Sequence, residues 1–240
     1  MMKKKSNSQS IRLNKFISRS GYCNRRNADE LIIKGRVKVN GTKCTKLGIK
    51  IDINDLVTID KKEIIYGTKL YVLLNKPQGF STNIKDEGKR IFDLLKKFKD
   101  KLFLIEDLDK ESMGLLLLTN DKELIKKLTS ESSVLKKIYS VNLNKGITES
   151  EINLIKSGII IDNKKVTPEK IIQLEEENKV GIEINYEDDI TVKKIFEKLN
   201  FKISKLDRVV FGPLTKKDLP RGKWRKLKHN EVRNLKSFLN

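Results

Sequence analysis

Ile105-Glu-Asp-Leu-Asp109-Lys-Glu-Ser-Met-Gly114-Leu-Leu-Leu-Leu-Thr119-Asn-Asp121 decides how this chain is read. A polar, acidic segment meets one glycine and then four leucines, which predicts a loop running into a buried strand. The loop delivers Asp109 to the start of that strand. Such a junction suits a catalytic group, because the strand fixes its position while the loop leaves room for a substrate. Taken alone, an Asp at this place is also an ordinary turn former.

Working outward, Leu70-Tyr-Val-Leu-Leu74 reads as a buried strand that Asn75-Lys76-Pro77-Gln78-Gly79 turns out of its sheet. Arg90 to Phe98 has helical spacing, with Ile91, Leu94, Leu95 and Phe98 on one face. Beyond the loop, residues 122 to 129 read as a helix, 136 to 141 as a strand, 149 to 157 as a helix and 179 to 185 as an alternating strand. Thr191 opens a further helix that runs to about Leu199. Upstream, Ile11 to Ser20 and Asn24 to Lys34 read as two short helices ended by Gly21 and Gly35. Arg36-Val-Lys-Val-Asn-Gly41 alternates before an Asn-Gly turn, a strong hairpin signal.

The chain has 240 residues, long enough for one large domain with a small one attached. Its formal net charge of +20 makes a polyanion the leading candidate partner. Residues 1 to 66 hold 16 Lys and Arg against 6 Asp and Glu, so half of that excess lies in the first quarter. Lysines number 42 and arginines 10, a ratio that looks like drift toward AT-rich codons; Lys for Arg therefore means little, whereas a charge reversal means more. Cys23 and Cys44 have no CxxC spacing and no nearby histidine, which argues against zinc and against a disulfide framework. No apolar run approaches the roughly 20 residues of a membrane span, so a soluble cytoplasmic protein is expected. A lone His229 supports no metal site or catalytic triad.

The quoted stretch resembles the signature loop of ribosomal RNA pseudouridine synthases of the RsuA/RluB type. That loop reads Gly-Arg-Leu-Asp, two residues, Thr, one residue, Gly, a leucine run and Thr-Asn-Asp. Leu108, Asp109, Gly114, Leu115 to Leu118 and Thr119 to Asp121 match it. Ser112 replaces the Thr, and Glu106-Asp107 replace Gly-Arg. Asn75-Lys76-Pro77-Gln78-Gly79, Lys137-Ile-Tyr139 and the segment from Leu206 to Arg225 follow the family in order. Where the family has Glu-Gly-Arg-Asn-Arg-Gln-Val-Arg-Arg, this chain has Tyr186-Glu-Asp-Asp189-Ile-Thr-Val-Lys-Lys194. Residues 11 to 60 are similar to the S-four-type RNA-binding module of the small ribosomal subunit.

The resemblance implies an α+β architecture: a small helical-hairpin RNA-binding domain at 11 to 66, after a basic tail at 1 to 10, and a catalytic domain at 67 to 240 with a largely antiparallel sheet. It implies isomerisation of a uridine in ribosomal RNA to pseudouridine, the large subunit favoured, without metal or organic cofactor. Asp109 is then the catalytic carboxylate, as nucleophile or as base; Lys193 is its cationic partner, and Tyr139 packs on the target base. Arg12, Lys15, Arg19, Arg25, Arg26, Lys34, Arg36 and Lys38 face phosphates. Trp224 is a packing anchor. The expected partners are ribosomal RNA and the assembling ribosomal subunit, with the protein a monomer. Asp107 puts a carboxylate where the family has a phosphate-binding arginine, and at 187 to 190 three acids and an isoleucine stand where the family's loop has its glycine and two arginines. This raises an alternative: a catalytically impaired homologue serving as an RNA-binding assembly factor.

Overall fold

A computed structural model describes residues 10–98, 102–130, 135–185 and 188–237. The basic tail, Ser10 apart, lies outside the described residues, as does Glu187. The chain forms two compact units. One comprises Met1–Leu70, Phe98–Phe103 and Thr119–Asp121, the other Tyr71–Lys97, Leu104–Leu118 and Lys122–Asn240.

In the first unit, strand Ser10–Arg12 pairs antiparallel with Lys50–Asp52 and leads into helix Leu13–Arg19. Asn24 caps the second helix, Arg25–Ile33, its side chain accepting the backbone N–H of Asn27 at 2.8 Å. The expected hairpin joins Val37–Val39 to Thr42–Cys44, and Asn40 and Gly41 both take positive φ, as its tight turn demands. Leu13, Phe16, Ile17, Ala28, Ile32 and Val57 fill the core between helices and strands.

The second unit is built on a nine-stranded sheet. Its main path runs Lys170–Gln173, Lys179–Ile184, Lys137–Leu143, Ile203–Phe211, Met113–Thr119, Tyr71–Lys76 and Trp224–Lys226. Most pairings with a defined register are antiparallel; Ile203–Phe211 against Met113–Thr119 is parallel. Leu115 to Leu118 are all fully buried, as a strand covered on both faces requires. Leu73, Leu115, Leu117, Phe211 and Leu214 share one core cluster, each such side chain contributing about 1.5–3 kcal/mol by leaving water.

Gly114 is required where the parallel pair begins. Its φ is +119°, and a Cβ there would lie 2.4 Å from the carbonyl oxygen and 2.5 Å from the nitrogen of Arg208. Only a residue without a side chain lets the signature strand close on its neighbour. Arg208 stands in register with Gly114 on this side and with Tyr139 on the other.

Three expected helices differ. The one expected over Ile11 to Ser20 begins only at Leu13, because Ser10–Arg12 pairs as a strand with Lys50–Asp52. Arg90 to Phe98 forms only a short helix at Ile91–Leu94 and a 3-10 turn at Lys96–Phe98, because Leu95 leaves helical geometry. The helix expected from Thr191 begins at Asp189 instead and ends at Glu197, because Asp188 caps it: its carboxylate accepts the backbone N–H of Thr191 at 2.8 Å.

Candidate active site

A cleft of about 770 Å³ opens in the second unit. Asp107, Asp109 and Lys110 of the signature loop line it, with Asn83 from the segment after the Asn-Lys-Pro turn and Asp188 and Ile190 from the following helix start. Asp109 is 38% exposed, and one of its carboxylate oxygens forms an ion pair with the Lys193 ammonium. Burial acts to raise the Asp109 carboxyl, but the Lys193 ammonium and the amides of Lys110 and Glu111 outweigh it and hold the group below the usual carboxylate range. Asp109 is therefore ionised at neutral pH.

The backbone of Asp109 is held from both sides. Its N–H donates to the Asp189 carboxylate at 2.9 Å. Its carbonyl accepts from the Lys76 ammonium at 2.9 Å, and the same ammonium reaches the carbonyls of Lys110 at 3.0 Å and Ser112 at 2.5 Å. Lys76 is fully buried, with three N–H groups for three carbonyls. Burial pulls its pKa down to about 8 against the field of Asp109, Asp189 and Asp107. Gly79 adds a fourth tie, donating its N–H to the Lys110 carbonyl at 2.9 Å. The strand Tyr71–Lys76 runs on through Asn75 and Lys76, expected in the turn, and its end with the turn up to Gly79 is thus the cradle of the signature loop, a role its composition did not signal.

Tyr139, on strand Lys137–Leu143, lies within the field of Asp189, Glu106 and Arg208, but its ring is fully enclosed and is not among the residues lining the cleft. Its hydroxyl finds no hydrogen-bond partner among the described residues, and burial pushes the phenol's pKa up. Packing against a base therefore requires this ring to be uncovered.

The acidic departures take specific places. Asp189 is buried and faces inward; Asp188 is a helix cap; Asp107 accepts the N–H of Leu108 at 2.6 Å. Glu106 meets Lys137 at 3.3 Å and Arg208 at 3.4 Å. Asp188 and Asp189 both line the cleft, and Asp189 keeps its charge there while its carboxylate accepts the Asp109 amide. Farther along, Asp207 is pulled below the usual carboxylate range: burial works to raise it, and Arg221 with Lys216 outweighs that. Arg221 also donates to the Asn75 side chain at 2.6 Å, tying the C-terminal segment to the cradle.

In the first unit, Arg12, Arg19, Arg25, Arg26, Lys34, Arg36 and Lys38 are exposed and Lys15 is half-buried. Arg36 is held by Asp60, and Lys34 lies 3.8 Å from Glu30. Among the described residues, no group of three or more His, Cys, Asp or Glu side chains could hold a metal, and no helix is long and apolar enough to cross a membrane. Trp224 is half-buried in its strand, and His229 is exposed at the start of the last helix, His229–Ser237.

Residues 11–57 match the S4 domain, and residues 70–233 match the RNA pseudouridylate synthase family. The chain belongs to that family. A pseudouridine synthase of Aquifex aeolicus, named as an uncharacterized RNA pseudouridine synthase, is 33% identical over 94% of this chain and 93% of its own length. The Bacillus subtilis ribosomal large subunit pseudouridine synthase B is 32% identical over 95% of this chain and 96% of its own. The dual-specificity RNA pseudouridine synthase RluF of Escherichia coli is 31% identical over 94% of this chain and 78% of its own. A crystal structure of a pseudouridylate synthase aligns at a TM-score of 0.63 with 26% identity, covering 94% of this chain and 99% of the other. As a pseudouridylate synthase with an S4 domain, the protein is an isomerase and has RNA as its partner.

Proposed function

We propose that this pseudouridylate synthase isomerises a uridine of ribosomal RNA, with the large subunit as the favoured target, and that Asp109 is the catalytic carboxylate. The single observation that carries the reading is the Asp109–Lys193 ion pair at a cleft, with the Asp109 backbone clamped by Lys76 and Asp189. A charged group held this firmly is preorganised for chemistry at one atom. In the reaction the bond from ribose C1′ to N1 breaks, the base turns while held, and a bond from C1′ to C5 forms. C5 loses a proton and N1 gains one. Atoms and electrons balance without an oxidant or reductant, so the chemistry calls for no redox cofactor. Asp109 acts on the ribose, as nucleophile at C1′ or as base at the neighbouring carbon. Lys193 keeps it ionised, and Tyr139 offers its ring to the base once uncovered.

The first unit supplies affinity. Arg12, Lys15, Arg19, Arg25, Arg26, Lys34, Arg36 and Lys38 bind phosphates of structured RNA, which is held by shape more than by base identity. Arg25 and Arg26 open a capped helix whose free amides add to the attraction for phosphate. The domain boundary near residue 66 separates this binding work from the chemistry at residues 67 to 240. The name of the Bacillus subtilis relative supports the large-subunit preference. The protein works as a cytoplasmic monomer on RNA of the assembling subunit. The inward use of Glu106 and Asp189 favours a working enzyme over an assembly factor with a dead site, since these acids serve the active-site frame.

Mapping pseudouridine in the host's ribosomal RNA with and without this gene tests the proposal. Loss of one or a few large-subunit pseudouridines, restored by the wild-type gene, is the expected result; an unchanged map overturns it.

A further inference from the structure

We infer that Glu106 is a positioning residue: its carboxylate neutralises two buried cations, Lys137 and Arg208, and so fixes the strand pair carrying Tyr139 against the loop carrying Asp109. The inference rests on the proposed function for its kinetic consequence.

Lys137 is 3% exposed and Arg208 1%. Charges so placed are unfavourable unless an opposite charge and hydrogen bonds accompany them. Among the described residues, Glu106 is the only carboxylate in ion-pair contact with either. The Lys137 ammonium lies 3.3 Å from both its oxygens, and one Arg208 nitrogen lies 3.4 Å from Oε2. The other contacts of Arg208 are uncharged. Its Nε donates to the Leu115 carbonyl at 2.8 Å, and its guanidinium lies 4.6 Å from the Phe211 ring centre. Replacing Glu106 by the glycine of the resembling loop would leave two enclosed cations without a counter-charge.

The geometry links these charges to the chemistry. Glu106 stands three residues before Asp109. Lys137 is the first residue of the strand that carries Tyr139, and Arg208 pairs in register with Tyr139 on one side and Gly114 on the other. One carboxylate therefore ties the loop carrying Asp109 to two neighbouring strands, one of which carries Tyr139. The Arg208 guanidinium also acts on the Tyr139 hydroxyl, so the cation that Glu106 neutralises lies against the ring's polar end.

The test compares full-length wild type, Glu106→Gln and the double variant Glu106→Gln with Lys137→Met. Gln keeps the size and an acceptor for Arg208 while removing the charge; Met keeps the Lys137 stem while removing one of the cations. Two measurements are made on each: amide hydrogen exchange, and single-turnover pseudouridine formation beside RNA affinity. Glu106→Gln should speed exchange about tenfold or more at residues 105–112 and 137–141, with helix Glu149–Ser157 unchanged. The double variant should recover most of that protection. The single-turnover rate should follow the exchange, down about tenfold and partly restored, with RNA affinity within twofold of wild type throughout. Unchanged local exchange in Glu106→Gln overturns the inference, as does a loss that Lys137→Met does not reverse. A wild type that forms no pseudouridine refutes the proposed function, while the exchange measurements still decide the role of Glu106.

Discussion

The side-chain carboxylate of Asp189 accepts the backbone N–H of Asp109 at 2.9 Å, joining residues 80 apart in sequence. Asp189 occupies the place of an asparagine in the resembling loop, and an amide oxygen can accept the same hydrogen bond. Asp189→Asn should therefore keep at least half of the single-turnover rate. Asp189→Ala leaves the Asp109 amide without its acceptor, and misplacing a catalytic group by about 1 Å can cost on the order of a hundredfold. Rapid-quench measurement of pseudouridine formation checks both; equal rates for the Asn and Ala variants would remove Asp189 from the positioning frame.

Lys76 gives the site a pH dependence with opposite signs for activity and stability. Its pKa is pulled down to about 8, so the ammonium that serves three carbonyls is lost as pH rises through that value. A neutral amine has only two N–H groups and turns a lone pair toward the third carbonyl. The rate should fall by half near pH 8. Stability moves the other way: between about 8 and the ordinary value of 10.5 the unfolded chain binds the extra proton, so this group's contribution to stability rises with pH in that window. Lys76→Met should be slow at every pH and should lack the inflection. A wild-type profile flat from pH 7 to 9 would contradict this.

Gly114→Ala should destabilise the catalytic unit by about 3 kcal/mol or more, since the added Cβ meets backbone atoms of Arg208 at a φ that side chains rarely adopt. Thermal unfolding is the measurement. A shift in Tm below 2 °C would mean that the two strands part at little cost.

RNA affinity should depend on the first unit and be separable from chemistry. Reversing Arg25 and Arg26 to Glu removes two exposed cations at the start of a helix. Binding should weaken, and the slope of log affinity against log salt should flatten by roughly 2 for two lost phosphate contacts. Titrations at several salt concentrations would show this; an unchanged slope would place the RNA elsewhere.

The parts legible in the sequence were those with local signals. Four leucines after a glycine marked the central strand, the Asn-Gly pair marked a hairpin that now has both residues at positive φ, and spacing within a resembling motif pointed to Lys193 beside Asp109. The parts that escaped depend on partners distant in sequence. Lys76 looked like one residue of a generic turn, because its three carbonyl partners lie more than 30 residues away. Asp188 and Asp189 looked like loop charges because a cap and a buried acceptor differ from exposed acids only in where the helix starts, and boundaries carry little periodic information. Glu106 looked like a misplaced charge because the burial of Lys137 and Arg208 has no signature in their immediate neighbours.

The central claim is that Asp109, held by Lys76, Asp189 and Lys193, carries out the isomerisation. The most direct measurement is single-turnover pseudouridine formation on the host's large-subunit RNA by wild type and Asp109→Asn, with RNA affinity measured in parallel. Asn preserves the size of the side chain and the backbone contacts but removes the charge and the ion pair with Lys193. Wild type should form pseudouridine at a defined uridine, while the variant binds within about threefold as tightly and forms none, a loss of at least about a thousandfold in rate. Pseudouridine formation by Asp109→Asn at the wild-type rate would contradict the account.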